Sequence, residues 1–362
     1  MGNWTEVLLA VAVQAVIWLG LVVSLLLAYI VAHRLLDGYR EKRLAPRRER
    51  YEELVVDLLV GDLEPLDLLR QVRRADRLLV EDLLLEYAAK FASDMRQRMA
   101  PLFQGIGAVA RNRRRTRSWF WWRRADAARR LGLMAEEQIS RSLRLLLQDR
   151  QAEVRIAAAR ALIELGSSQW LDDVIWRLNE PDTVSRLRVA DVVLEAGAAA
   201  VPGLIRFVRQ EANPRSAVVA IDMLGDLRAV EAEPVIMAAA GSEYVELRAA
   251  ACRALGRLET PEALELLCSA LQDRAWEVRN QAVRALGAIG DAQAAPFIVP
   301  MLHHDEIWGV YRSALALAAM PPEGIRLLQS ELYRMQNDQT LAEDRRVRVL
   351  QEVLCQAGAT RR

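Results

Sequence analysis

The stretch Asp273-Arg-Ala-Trp-Glu-Val-Arg-Asn-Gln-Ala-Val-Arg-Ala-Leu-Gly287 is the one from which the rest of the chain can be read. Arg279 is followed at three, seven and ten positions by Ala282, Leu286 and Ile289. That spacing marks one face of an amphipathic helix, with a small residue where another helix comes close. Moving outward in steps of thirty-one residues returns the same pattern, at Arg124, Arg155, Arg186, Ala217, Arg248, Arg279 and Val310. Three positions after each stand Ala127, Ala158, Val189, Ala220, Ala251, Ala282 and Ser313. Seven after each stand Leu131, Leu162, Val193, Leu224, Leu255, Leu286 and Leu317. A register kept without insertion over seven units is a repeat architecture and not a chance periodicity.

Each unit then breaks, often at a glycine (Gly166, Gly197, Gly290), and a second apolar stretch follows, such as the one from Leu171 to Leu178. Two antiparallel helices with two short turns satisfy that pattern, and stacked units bury a continuous core between neighbours. Asp149, Glu180 and Asp273 lie six positions before a repeat arginine, where they can cap a helix or pair with an arginine of the neighbouring unit. The repeat arginines themselves read as an internal ladder.

The segments 273–287 and 149–162 (Asp149-Arg-Gln-Ala-Glu-Val-Arg-Ile-Ala-Ala-Ala-Arg-Ala-Leu162) resemble the short HEAT-like repeat of phycobilin lyases. The resemblance covers residues 118–320 and implies an α-solenoid. It is specific for fold and not for function. The family comprises mostly scaffolds, with a few bilin lyases and a di-iron hydroxylase of deoxyhypusine. That hydroxylase needs His-Glu pairs as iron ligands, and this chain has no His-Glu dipeptide.

Upstream, residues 7–31 carry no charge. As a helix such a run would reach roughly 37 Å, which exceeds the ~30 Å hydrocarbon core of a bilayer. Trp4 and Tyr29 flank it, and Arg34, Arg40, Lys42, Arg43, Arg47, Arg48 and Arg50 follow. The expectation is an uncleaved transmembrane helix, single-pass in the bacterial inner membrane, with the N-terminus outside and residues 34–362 in the cytoplasm. The expected fold class is therefore all-α, an N-terminal transmembrane helix followed by a solenoid of HEAT-like repeats. The expected domains are an anchor at 1–33, a basic juxtamembrane segment at 34–50, an N-terminal helical cap at 51–117, the solenoid at 118–320 and a C-terminal helical cap at 321–362.

Basic and acidic residues number 49 and 48, a net charge of +1, so a dedicated nucleic-acid binder is not expected. Cys252, Cys268 and Cys355 are far apart and show no metal or disulfide spacing. His303-His304-Asp305-Glu306 is one short metal-capable run with no second cluster to complete a site. No phosphate loop and no nucleophile with a visible base is present. The expectation is a non-enzyme without metal or cofactor.

Two sets of residues are candidates for binding. Five positions after each repeat arginine, on the expected concave face, stand Arg129, Arg160, Asp191, Asp222, Arg253 and Arg284, a basic–acidic–basic order that would suit a partner of opposite pattern. Residues 111–124 hold seven arginines and the consecutive aromatics Trp119, Phe120, Trp121 and Trp122. Arg113, Arg114, Arg117, Trp119 and Trp121 are read there as a membrane- or partner-docking patch, with Trp119 and Trp121 more exposed than Trp122. The same segment could stack on a nucleotide, or simply plug the open end of the first repeat.

The resulting expectation is a membrane-anchored scaffold whose solenoid holds a protein partner. The looser resemblance to bacterial membrane-tethered HEAT proteins points to a membrane glycosyltransferase of polysaccharide synthesis as that partner. The alternatives are a phycobilin-lyase-like chromophore lyase and a nucleic-acid-binding HEAT protein.

Overall fold

The computed structural model describes residues 3–91, 93–135, 139–166, 170–210, 213–303, 306–338 and 344–359, without the side chains of 3–13, 15, 16, 30, 33, 35–43, 93, 261 and 359. Among the described residues every regular element is helical. The chain divides into two compact units, residues 1–111 and 112–362.

The first unit is built from α1 (Asn3–Val60), α2 (Pro65–Gln71), α3 (Arg77–Lys90), α4 (Ser93–Gly105) and the start of α5 (Ala108–Arg115). The apolar run and the basic segment after it form one uninterrupted helix, α1, which continues to Val60. Within the N-terminal cap, α3 ends at Lys90 with Phe91 as its C-cap, and α4 begins at Ser93. Val55, Leu68, Val80, Leu84, Met99, Leu102 and Phe103 are buried. Two carboxylates are buried with them and both are partnered, as burial of charge requires. Asp76 accepts from Arg47 at 3.0 Å and from the Tyr51 hydroxyl at 3.1 Å, and Glu81 accepts from Arg111 Nε at 3.1 Å.

The expected transmembrane anchor is overturned. Among the described residues, no helix is long and apolar enough to cross a membrane. The side chains of Trp4 and of most of residues 7–16 lie outside the described residues. The single-pass inner-membrane location, the N-terminus outside and the cytoplasmic placement of 34–362 rested on that span and fall with it.

The second unit is the repeat array. The even-numbered helices α6 (Trp121–Gly132), α8 (Ala152–Glu164), α10 (Thr183–Leu194), α12 (Pro214–Asp226), α14 (Val245–Leu258), α16 (Trp276–Ile289) and α18 (Ile307–Ala318) carry the repeat positions and lie side by side in one layer. The odd-numbered helices α7 (Ser140–Leu146), α9 (Leu171–Ile175), α11 (Val201–Gln210), α13 (Glu233–Ala240), α15 (Pro261–Ala270) and α17 (Ala295–Ile298) back onto them as the second layer. After Pro322, α19 (Glu323–Asn337) and α20 (Arg345–Ala359) pack on α18. They bury Leu328, Met335, Val347, Leu350 and Val353 at the C-terminal end of the array.

The thirty-one-residue register is also the packing register. All seven residues three after the repeat position, from Ala127 to Ser313, are 0% exposed, and those seven after it, from Leu131 to Leu317, are at most 1% exposed. Ten after it, only Met134, Leu258 and Met320 are buried, because the helix is ending there and turns its side chains out. The turn comes one residue later. Ala135, Gly166, Gly197, Arg228, Glu259 and Gly290, all eleven after a repeat position, have φ between 49° and 72°. This left-handed residue ends the repeat helix, which is why glycine recurs at the position.

Candidate functional site

The repeat arginines form the ladder expected of them. The Nη1 atoms of Arg124, Arg155, Arg248 and Arg279 each donate to the carbonyls six and five residues upstream, at 2.8–3.1 Å. In Arg124, Arg155 and Arg248 the other face of the guanidinium meets the carboxylate of the next unit. Arg124 grips Asp149 with two bonds of 2.7 Å, and Arg248 grips Asp273 at 2.7 and 2.9 Å. Arg155 pairs likewise with Glu180. Bidentate pairs of this kind are strong and directional. Asp149 and Asp273 also accept from the backbone N–H two residues on, so each carboxylate caps a turn and joins two repeats. The bonds from Arg248, outweighing burial, hold the Asp273 carboxyl below the usual carboxylate range. Burial pushes Asp149 up, but its bonds to Arg124 and to the Gln151 N–H bring it below the usual range. Where the arginine is missing, at Ala217, the matching acid is missing too, and Ser242 stands in its place.

The six residues singled out five positions after each repeat arginine lie on the even-numbered helices, but not as three free blocks. Arg253 pairs bidentately with Asp222 at 2.8 and 3.0 Å, and Arg160 bonds Glu195 at 3.0 Å. Arg129, Asp191 and Arg284 are exposed, and Arg129 and Arg284 have no partner among the described residues. Of the six, Arg160, Asp222 and Arg253 are thus spent on ion pairs, whereas Arg129, Asp191 and Arg284 face solvent.

At the start of the array Arg113, Arg114 and Arg117 are exposed, as expected. Trp119 is 92% exposed, Phe120 43%, Trp121 42% and Trp122 51%. Trp121 is therefore not the more exposed of the last two: Phe120 and Trp122 pack with centroids 4.5 Å apart and their planes tilted by 32°, and Trp121 stands edge-on to Trp122. None of these rings is a buried plug. The Trp119 backbone is nonetheless pinned, because Arg124 holds the Ser118 and Trp119 carbonyls at 2.9 and 3.0 Å. Beside them Arg114, Arg115, Ser118, Arg123 and Asp126 line a cleft of about 560 Å³. The Arg123 guanidinium lies 5.1 Å from the Phe120 ring centre, a cation–π distance.

At the other end, Arg284 and Gly287 of α16 and Trp308, Tyr311, Arg312 and Leu315 of α18 line a groove of about 460 Å³ floored by Ala316 and Ala319. Sequence reasoning placed Arg284 on a binding face but missed its neighbours across the groove. Their signal was a departure from the repeat. The positions of Trp308, Tyr311 and Arg312 are filled one unit earlier by Glu277, Asn280 and Gln281. Also missed was the seam beneath: Gly132, Gly225, Gly256 and Gly287 face Ala161, Ala254, Ala285 and Ala316 of the next even-numbered helix. A Cβ on any of the four glycines would come within 2.9 Å of its alanine.

His303 Nε2 lies 2.9 Å from Arg334 and 3.1 Å from Glu331, while His304 and Asp305 lie outside the described residues. Among the described residues no three His, Cys, Asp or Glu side chains group as a metal site. Burial pushes the Cys252 thiol up to about 12, so it stays protonated at neutral pH.

No curated protein matches the chain. Among solved structures it is similar to the complex of CpcE and CpcF of phycocyanin lyase from Nostoc, with 23% identity, 69% of this chain and 94% of that one covered, and a TM-score of 0.31. It is similar to human deoxyhypusine hydroxylase at 17% identity, covering 77% of this chain and 99% of that one, with a TM-score of 0.30. It is also similar to Kap95p, solved with RanGDP, at 10% identity over 73% of this chain and 45% of that one, with a TM-score of 0.48. These likenesses concern the fold. Residues 201–268 and 234–319, which hold α11 to α18, match the family model of HEAT repeats, so this part of the array is a run of HEAT repeats.

Proposed function

We propose that the chain is a non-catalytic scaffold that holds a protein partner on its HEAT array. One observation carries the reading: Trp119 displays a ring that is 92% exposed on a backbone fixed by the arginine ladder. An aromatic side chain presented on a rigid element loses little entropy on docking, and tryptophan and arginine dominate the energetics of interfaces. Arg113, Arg114, Arg117 and Trp121, close to it in the chain, are exposed as well. A glycosyltransferase as the partner rests on resemblance alone, and no described residue favours the lyase alternative.

The test is crosslinking in cells followed by identification of the captured protein, with wild type and Trp119→Ala/Trp121→Ala side by side. Wild type is expected to capture one protein reproducibly, and the double substitution to lose at least tenfold of that capture at an unchanged melting temperature. Equal capture by both, or a melting temperature several degrees lower in the variant, would show that these rings serve the fold and not a partner. Bilin absorbance after co-expression with a chromophore pathway would transfer the reading to a lyase.

A further inference from the structure

We infer that the groove between α16 and α18 is a second binding site, for an acidic peptide segment with one bulky apolar side chain. It rests on the scaffold reading only in taking the ligand to be part of a protein. The floor is apolar and shallow because Gly287 lets α16 approach Ala316: a Cβ at Gly287 would lie 2.8 Å from the Ala316 Cβ and 2.9 Å from its Cα. Above it stand Leu315, 40% exposed, and Trp308, 70% exposed and edge-on to Tyr311 at 6.2 Å. Large apolar side chains left this open on a helix face lose burial in the free protein and regain it only under a ligand. The volume of about 460 Å³ falls in the range of ligand sites and leaves room for a single phenylalanine- or leucine-sized side chain beside the peptide backbone.

The rim sets the sign of the partner. Arg284 and Arg312 line opposite walls, on α16 and α18 respectively, and neither has a partner among the described residues. A guanidinium with unoccupied donors beside an apolar surface fits a carboxylate bidentately, and the low-dielectric floor strengthens the pair. The preceding gap in the array shows what a groove without this role looks like. There Arg253 is neutralised by Asp222 at 2.8 Å, and Glu277, Asn280 and Gln281 replace Trp308, Tyr311 and Arg312. The apolar and cationic residues thus occur together at this gap, while the arginine of the preceding gap is spent on Asp222. A basic segment would be repelled by the two arginines, and an uncharged one would leave both unanswered.

The full-length chain can be titrated into the fluorescein-labelled peptide Glu-Glu-Asp-Phe-Asp-Glu-Glu, with fluorescence anisotropy as the readout. Saturable binding is expected, weakened tenfold or more by Arg284→Glu/Arg312→Glu, by Trp308→Ala, and by serine in place of the peptide's phenylalanine. Melting should stay as in wild type, since Trp308 and Arg284 are exposed. Equal binding of the serine peptide would overturn the apolar anchor. Undiminished binding by the charge-reversed variant, or no binding by wild type, would overturn the site itself. Tighter binding of a single-stranded oligonucleotide than of the peptide, or self-association abolished by Trp308→Ala, would assign the groove to another occupant and overturn the inference. Partner capture through Trp119 is read in a separate assay, so loss of the groove leaves the scaffold reading standing, and the reverse.

Discussion

Asp273 does three things at once: it accepts two bonds from Arg248, it accepts the Ala275 N–H, and its own carbonyl accepts from Arg279. The first two favour the ionised carboxylate, so its folded-state pKa lies below the ordinary value, and Arg248 is the main cause. A depressed carboxylate stabilises the fold above its unfolded pKa, about 3.9, and that contribution is lost as pH falls through the folded value. Asp273→Asn should therefore cost on the order of 1.5–3 kcal/mol at pH 7, the usual worth of a charge-assisted bond. The difference from wild type should shrink steadily below about pH 4 as the wild-type carboxylate itself protonates. Urea unfolding of both proteins at pH 7 and at pH 2.5 measures this. A penalty that stays constant with pH would mean that shape, and not charge, is what Asp273 contributes.

At the scale of the helix, the seam between even-numbered helices decides how tightly the layer closes. Gly256 faces Ala285, and a Cβ there would sit 2.5 Å from the alanine Cβ and 2.7 Å from its Cα, so backbone would have to move. Gly309 is also helical, but a Cβ there meets nothing within 4 Å. The two glycines predict opposite signs. Gly309→Ala should stabilise by about 0.5–1 kcal/mol through helix propensity alone. Gly256→Ala should destabilise by about 1–3 kcal/mol, because overpacking outweighs that gain. Thermal melts of the two single variants test the pair, and a shared sign would mean that the seam is looser than its geometry. Ala251 and Ala282, both 0% exposed, make the same point from the neighbouring face, and leucine at either should cost about 1–3 kcal/mol.

Across the whole array, each even-numbered helix touches the ones before and after it, so damage should stay local. Hydrogen exchange on Ala282→Leu should show faster exchange in α14, α16 and α18, with α6 and α8 as in wild type. Uniform acceleration from α6 to α18 would mean that the array unfolds as one cooperative block.

The repeat, its helical phase and its ladder were legible in the residues because a solenoid uses one local solution again and again. Ala282 and Leu286 recur at fixed spacing since every unit buries the same face, and the Arg248–Asp273 pair repeats Arg124–Asp149 and Arg155–Glu180 since those units are joined the same way. What does not repeat was not legible. Whether the charges of Asp222 and Arg253 were free or spent on one another depended on their meeting across two helices thirty-one residues apart, which composition along one helix does not reveal. The exposure of Trp122 and the groove under Trp308 and Arg312 were likewise decided by tertiary structure. Periodicity reports which side of a helix is buried, whereas a binding surface is made where different helices bring unlike side chains together, and only packing in three dimensions sets that meeting.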